Sequence, residues 1–398
     1  MKTGQAALRW LYTPANALPL CWAAGLLLPS NAAWSTFFYI IGWPTILWRL
    51  SKGWRPNWSN RPAMAMLLLW GWSSLTIIWE MDNSHHGDGR GYWLANAVST
   101  GALLLGTLMA AQDEPKTRER MISCVIWCGT AAASLSIFLS FFMHIWQNRL
   151  GGWAALNLAV LGAAVAVVCI LLALLRLSQG KRHYLIALIP LLVYLPLNGS
   201  RTAILALLCC LVVIATNNRK TFFYLILAGL AVLLIGATTY ALHFTRVDMA
   251  IKSALARGSD CHITIWRTAW GLFLQHPWIG YGPSARLPIL PHGACPAYPS
   301  PHNLYLSVLL YSGAIGFALF WLCQAVMLRH LIRLTTGWPR RFGLALMLVP
   351  LITGLTDLTQ LIKGPSPLWY IIWLPLLLVV SLPDAALESS DKSAPSSG

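Results

Sequence analysis

Along most of this chain, apolar residues run in long blocks separated by short polar connections that carry Lys and Arg. A helix needs about 20 mostly apolar residues to cross the hydrocarbon core of a bilayer. On that measure the pattern predicts about twelve spans, at 13–29, 33–50, 63–80, 92–111, 121–146, 153–177, 183–198, 202–217, 221–243, 302–328, 341–362 and 366–382. The seventh and eighth are short and joined by Asn198-Gly199-Ser200-Arg201, so one broken helix is an alternative reading. The first block reads as a span and not a removed signal, because Pro14 and Pro19 interrupt it. The fold class is therefore all-α and polytopic. Residues 1–383 form a single transmembrane domain, and the polar, Ser-rich 384–398 form a disordered tail.

The blocks stop over 244–301, before the tenth span. This interval holds IWRTAW (Ile265 to Trp270) and HPWIGYG (His276 to Gly282), and it closes on SPHNLYL (Ser300 to Leu306). Residues 263–275 read as a helix with an apolar stripe of Ile263, Trp266, Trp270, Phe273 and Leu274, and Arg267 turned away from it. Pro277 ends the helix and Gly280-Tyr281-Gly282-Pro283 turns the chain. Ser300 is a natural N-cap and Pro301 a natural first helical residue, which puts His302 in the first turn of the tenth span. The positive end of that helix favours a neutral imidazole, able to accept a proton.

Composition narrows the class. Charged residues are 10% of the 398, against about 25% in soluble domains, which excludes a soluble enzyme. The net charge of +16 lies in separate loops and not along one stripe, so it does not indicate nucleic acid. Arg49, Lys52, Arg55, Arg61, Lys116, Arg118, Arg120, Arg176, Lys181, Arg182, Arg219, Lys220, Arg329, Arg333, Arg340 and Arg341 fall on one side. The short loops on the other side hold only Arg90, Arg149, Arg201 and Lys363. Basic loops stay in the cytoplasm, so both termini are expected there and 244–301 outside.

Several residues then stand out. Arg201 sits between two apolar segments, where an arginine is costly and points to function. Guanidinium groups grip phosphate with two parallel hydrogen bonds, so Arg201 and Arg267 on one side suggest a diphosphate. An interfacial arginine and a satisfied structural histidine are the plainer readings of Arg267 and His302. Cys261 and Cys295, alone in the outer interval, are candidates for a disulfide, with two free thiols as the alternative. Glu80, Asp82, His85, His86 and Asp88 are read as a polar loop in preference to a metal site. Trp43, Trp48, Trp54 and Trp58 are read as an interfacial belt. No Gly-Lys-Ser/Thr phosphate loop is present, which argues against an ATP-driven pump.

The spans, the outer interval before the last three of them, IWRTAW, HPWIGYG, and PHNLYL followed by Gly313 and Gly316 resemble the O-antigen ligase/polymerase superfamily. The resemblance implies an inverting, metal-independent membrane glycosyltransferase with no cofactor. Its donor is a glycan on undecaprenyl diphosphate, and its site lies on the periplasmic face of a bacterial inner membrane. It further implies that His302 is the base and that Arg201 and Arg267 hold the diphosphate. Arg246, Lys252, Arg257, Arg286, Tyr281 and Asn303 are further candidate contacts. One sizeable outer interval and a short C-terminal end fit a ligase using lipid A–core as acceptor better than a polymerase or a protein O-oligosaccharyltransferase. A transporter of the same lipid would need the arginines but no base.

Overall fold

The computed structural model describes residues 13–79, 89–113, 115–142, 150, 152–215, 260–286, 300–333 and 337–382. The expected span over 221–243, the cluster from Glu80 to Asp88, Arg246, Lys252, Arg257, Cys295, the tail and the side chain of Cys261 lie outside the described residues. Every regular element among the described residues is helical. Four helices there are long and apolar enough to cross a membrane: Arg90–Ala110, Lys116–Phe142, Val160–Ser178 and Leu304–Arg333.

In chain order the helices are α1 (Pro14–Leu27), α2 (Asn31–Phe37), α3 (Trp43–Ser51), α4 (Arg61–Leu75) and α5 (Arg90–Asp113). They continue with α6 (Pro115–Phe142), α7 (Ala159–Ser178), α8 (Tyr184–Asn198), α9 (Arg201–Ala215) and α10 (Asp260–Phe273). The last are α11 (Leu304–Arg333), α12 (Trp338–Thr353) and α13 (Leu374–Val380). A π-helical turn over Phe38–Gly42 precedes α3 and another over Trp369–Trp373 precedes α13. Each helix that follows carries a proline, Pro44 or Pro375, at its second position. Proline has no N–H and its ring meets the carbonyl four residues back, so the wider turn accommodates it without ending the helix.

The core centres on α7, where 163–173 are all buried. Gly162, Ala163, Ala164 and Ala166 allow neighbouring backbones to approach closely, which is how apolar helices associate without a hydrophobic drive. Tryptophans also fill the interior: Trp22, Trp34, Trp369 and Trp373 are fully buried. Trp34 Nε1 donates to the Cys21 carbonyl at 2.8 Å and Trp373 Nε1 to that of Leu361 at 2.9 Å. These rings are core, in contrast to Trp48 and Trp58, which are exposed as a belt requires.

The chain between α8 and α9 is a tight turn between two helices, not one broken helix. Gly199 takes a left-handed conformation (φ 68) to end α8, and Ser200 Oγ accepts from the Ala203 N–H at 3.4 Å to begin α9. The expected span over 341–362 is also corrected: α12 stops at Thr353. The irregular stretch beyond it is largely covered by protein, with Leu358, Leu361 and Ile362 buried.

The true break lies in α11. At Gly313 the backbone leaves the helical region (φ 66, ψ −172), which strips nearby carbonyls and N–H groups of their partners. Buried peptide groups must be paired, and HPWIGYG pairs them. The N–H groups of Tyr281 and Gly282 donate to the carbonyls of Leu310 (2.9 Å) and Tyr311 (3.0 Å). In return, Ala314 N–H donates to the Pro277 carbonyl (2.7 Å) and Ile315 N–H to that of Trp278 (3.2 Å). Trp72 Nε1 donates to the Ser312 carbonyl at 3.0 Å. No side chain fits between the strips of backbone: a Cβ on Gly313 would lie 2.2 Å from the Trp278 oxygen, and one on Gly280 (φ 68) would lie 2.7 Å from the Leu310 oxygen.

Substituting either glycine should therefore unseat the loop. Gly280→Ala and Gly313→Ala are expected to lower the thermal midpoint of the purified protein by several degrees, since a left-handed non-glycine residue alone costs about 1–2 kcal/mol. Gly71→Ala, where an added Cβ meets nothing within 4 Å, is the matched control and should leave the midpoint unchanged or raised.

Candidate active site

His302 is not in a helix. Asn303 caps α11, its Oδ1 accepting from the Leu306 N–H at 3.0 Å, so the expected cap at Ser300 and the helical placement of His302 are corrected. Asn outcompetes the Ser-Pro pair because its side chain reaches the third N–H of a helix that starts at Leu304. His302 itself is left-handed, with φ 49, a strained state for a residue with a Cβ, of the kind that clusters at functional sites. The residues beside it hold the strain in place. Trp266 Nε1 donates to the Pro301 carbonyl at 3.1 Å, and Asn303 Nδ2 donates to the Leu355 carbonyl at 2.9 Å. The Leu304 N–H donates to the Gly354 carbonyl at 2.7 Å.

The same hydrogen bonds bring the stretch after α12 against His302. It carries Asp357, close enough for its charge to act on the imidazole. Thr356 Oγ1 donates to Asp357 Oδ2 at 2.6 Å and lies 2.8 Å from Thr202 Oγ1. Thr202 follows Arg201, the exposed first residue of α9. Arg201 and His302 thus belong to one end of the bundle, linked through Thr202, Thr356 and Asp357. A positive side chain opening a helix works against the helix dipole, and an anion bound there would relieve both.

α10 supplies the other flank. Its buried face is Ile265 and Ala269, which pack on Tyr281, Leu310 and Tyr311. Ile263 and Trp270 are half exposed, as is Leu274 just past the helix. The expected stripe is therefore split: Phe273 is buried and Trp266 packs on the cluster, while Ile263, Trp270 and Leu274 face outward. Arg267 is exposed and shares the outward face with Ile263 and Trp270, four residues before it and three after, and is not turned away from them. On the inner side, the His262 ring lies 5.9 Å from that of Trp266, and its Nδ1 is buried without a hydrogen-bond partner.

The remaining candidates are placed as follows. Tyr281 is buried, its phenol donating to Gln275 Oε1 at 3.0 Å and its ring edge-on to His276 at 4.5 Å. Arg286 is half-buried within electrostatic reach of Tyr311. Asn303 spends both ends of its amide within the protein. Sequence reasoning missed Asp357 and His262. The first had a signal: a carboxylate inside a block counted as a span defaults to a functional residue. The second had none, being one polar residue near the start of an amphipathic helix.

Burial lowers the pKa of His302 below the ordinary 6.5; Asp357 acts to raise it, and His262 acts to lower it. The imidazole is neutral at pH 7 and able to take a proton, with a carboxylate at hand to stabilise the cation that results.

Together the described residues form a helical membrane protein with a neutral histidine, a carboxylate and Arg201 at one end of its helices and Arg267 on the exposed face of α10. Residues 186–321 match the family described as O-antigen ligase, a stretch that contains Arg201, Arg267, Tyr281, His302 and Asn303. The chain is also 26% identical over 395 residues to the O-antigen ligase of Pseudomonas aeruginosa strain PAO1, covering 92% of this chain and 90% of that protein. Both findings bear out the resemblance drawn from the motifs. The chain is thus similar to O-antigen ligases both over this stretch and along most of its length.

The electrostatics of His302 can be tested without any substrate. Diethyl pyrocarbonate reacts with neutral imidazole, so labelling of His302, read by peptide mass spectrometry, should titrate with a midpoint below 6.5. Asp357→Asn removes the group that raises the pKa and should move the midpoint down. His262→Gln removes the one that lowers it electrostatically and should move it up. Unchanged midpoints in both variants would mean that neither residue faces His302.

Proposed function

We propose that this protein transfers a glycan from undecaprenyl diphosphate to a sugar hydroxyl of lipid A–core. The site lies on the periplasmic side of a bacterial inner membrane, in a chain of about twelve spans with both termini in the cytoplasm. The observation that carries this reading is the pairing of a strained, neutral His302 with Asp357 at the end of the bundle that also bears Arg201. A transporter has no use for a positioned base.

In this reading His302 takes the proton of the acceptor hydroxyl as its oxygen attacks the anomeric carbon of the donor. The bond from that carbon to the diphosphate oxygen breaks, and its electron pair leaves with undecaprenyl diphosphate. Attack from the opposite face inverts the configuration. Arg201 and Arg267 hold the diphosphate and stabilise the charge that grows on it. Asp357 stabilises the imidazolium until the proton is passed on. Arg246, Lys252, Arg257 and Arg286 attract the phosphorylated core. Because two arginines do a cation's work, no divalent metal is required.

His302→Ala should lower transfer by about 10²–10⁴-fold while leaving retention of undecaprenyl diphosphate intact, measured with purified lipid-linked glycan and lipid A–core. Near-normal transfer would sink the assignment. Transfer by the unmodified protein should also survive exhaustive chelation, and loss in EDTA restored by Mg²⁺ would return attention to Glu80, Asp82, His85, His86 and Asp88.

The arginines should act as clamps and not as bare charge. Lysine keeps the charge but lacks the planar fork. Arg201→Lys and Arg267→Lys should therefore lose most transfer, each lost charged hydrogen bond costing about 1.5–3 kcal/mol. Arg90→Lys, at the start of α5, should be nearly silent. Equal tolerance of lysine at all three positions would contradict the clamp.

A further inference from the structure

A second cluster of basic residues lies at the other end of the helices. α5 runs away from the His302 end: near its start, Asn96 Oδ1 accepts from the Gly364 N–H, in the irregular stretch that also carries Asp357. α5 finishes at Asp113, and α6 begins there with Lys116, Arg118, Glu119 and Arg120. A cleft of about 530 Å³ opens here between α1 and α6. It is lined by the apolar Pro19 and Leu20 of α1 and by Ser123, Cys124 and the exposed Lys116 and Arg120 of α6. Pro19 sits inside α1.

The charge balance of the cleft favours an anion. Glu119 also lines it, but that carboxylate is shared with Lys181 at 3.5 Å and with the buried Arg176 at 3.8 Å. Arg176 is held in turn, donating to the Glu119 carbonyl at 2.7 Å and to Gln179 Oε1 at 2.9 Å. Arg118 Nη1 reaches the Ser381 carbonyl at 2.6 Å, fastening the end of the last helix to the same corner. Arg120 Nη1 reaches Asn16 Oδ1 at 3.4 Å, which bridges the mouth of the cleft from α6 to α1. A compact anionic group at the edge, continuous with hydrocarbon along Pro19 and Leu20, matches this surface better than any soluble ion. Basic pockets between helices at a membrane face are suited to anionic headgroups.

We propose that the cleft between α1 and α6 binds an anionic phospholipid, its phosphate held by Lys116 and Arg120 and its first methylenes against Pro19 and Leu20. The lipid seats beside the direct contact between the first helix and the sixth. This site is separate from the His302 end and does not depend on the transfer chemistry.

The test uses the full-length protein purified in a neutral detergent. Retention of phosphatidylglycerol and of phosphatidylcholine is compared by native mass spectrometry, for the unmodified protein and for a Lys116→Gln, Arg120→Gln double variant. The unmodified protein should retain phosphatidylglycerol preferentially. The double variant should retain it roughly 30-fold less well, at about 5-fold per basic residue near an anionic headgroup. Both side chains are exposed, so the variant should fold. A second readout needs no substitution: phosphatidylglycerol, but not phosphatidylcholine, should slow peptide-resolved alkylation of Cys124. Equal retention of the two lipids, an unaffected double variant, or Cys124 protection by neither lipid would overturn the proposal. So would glycerol phosphate or inorganic phosphate competing as well as the lipid, which would make this a site for free anions.

Discussion

The interaction on which the rest depends is the docking of HPWIGYG into the break of α11. A helix interrupted among apolar neighbours leaves peptide groups that cannot reach water, and such irregular backbone is tolerated only where protein re-satisfies it. Here four main-chain hydrogen bonds do so, between Pro277, Trp278, Tyr281 and Gly282 on one side and Leu310, Tyr311, Ala314 and Ile315 on the other. Two glycines without room for a Cβ permit the contact. The loop is thereby fixed to the bundle as firmly as a strand to its sheet.

That fixed point determines where the candidate site sits. α10 precedes the loop and must lie along the N-terminal half of α11, burying Ile265 and Ala269 against Leu310 and Tyr311. Trp266 then meets the Pro301 carbonyl, His262 faces inward and Arg267 faces outward. From the other side, Asn303 and Leu304 tie the start of α11 to Leu355 and Gly354, which delivers Asp357 to His302. The strain at His302 is the residue of these competing ties: both flanking segments are pinned, and the backbone between them adopts the left-handed conformation that connects them. The ordering costs free energy locally, and in the role proposed for His302 a base held this way needs no further ordering when a substrate arrives.

Much of this was legible in the sequence, and the reasons differ from place to place. Long apolar blocks specify helices in a membrane protein because no other isolated segment can satisfy its own backbone there, so the helices appear close to their expected positions. Arg201, Arg267 and His302 were legible because charge and imidazole are conspicuous in an apolar chain. What could not be read was pairing at a distance. Gly313 resembles any glycine in a span until Trp278 is known to press against it, and Asp357 was absorbed into a block whose mean apolarity concealed it. The apolar stripe of α10 was drawn from periodicity alone. Periodicity locates a helix's greasy side but not which side the protein covers, and in a lipid environment the two need not coincide.

The proposed chemistry rests on a half-buried, neutral His302 whose proton affinity is lowered by desolvation and opposed by Asp357. The most direct measurement is the pH dependence of kcat/KM for glycan transfer by the unmodified protein, over a range in which the helical fold is shown by circular dichroism to persist. Transfer should be at its plateau at pH 7 and fall as a single protonation with a midpoint below 6.5. A profile flat through that range, or one with its midpoint above 6.5, would contradict it.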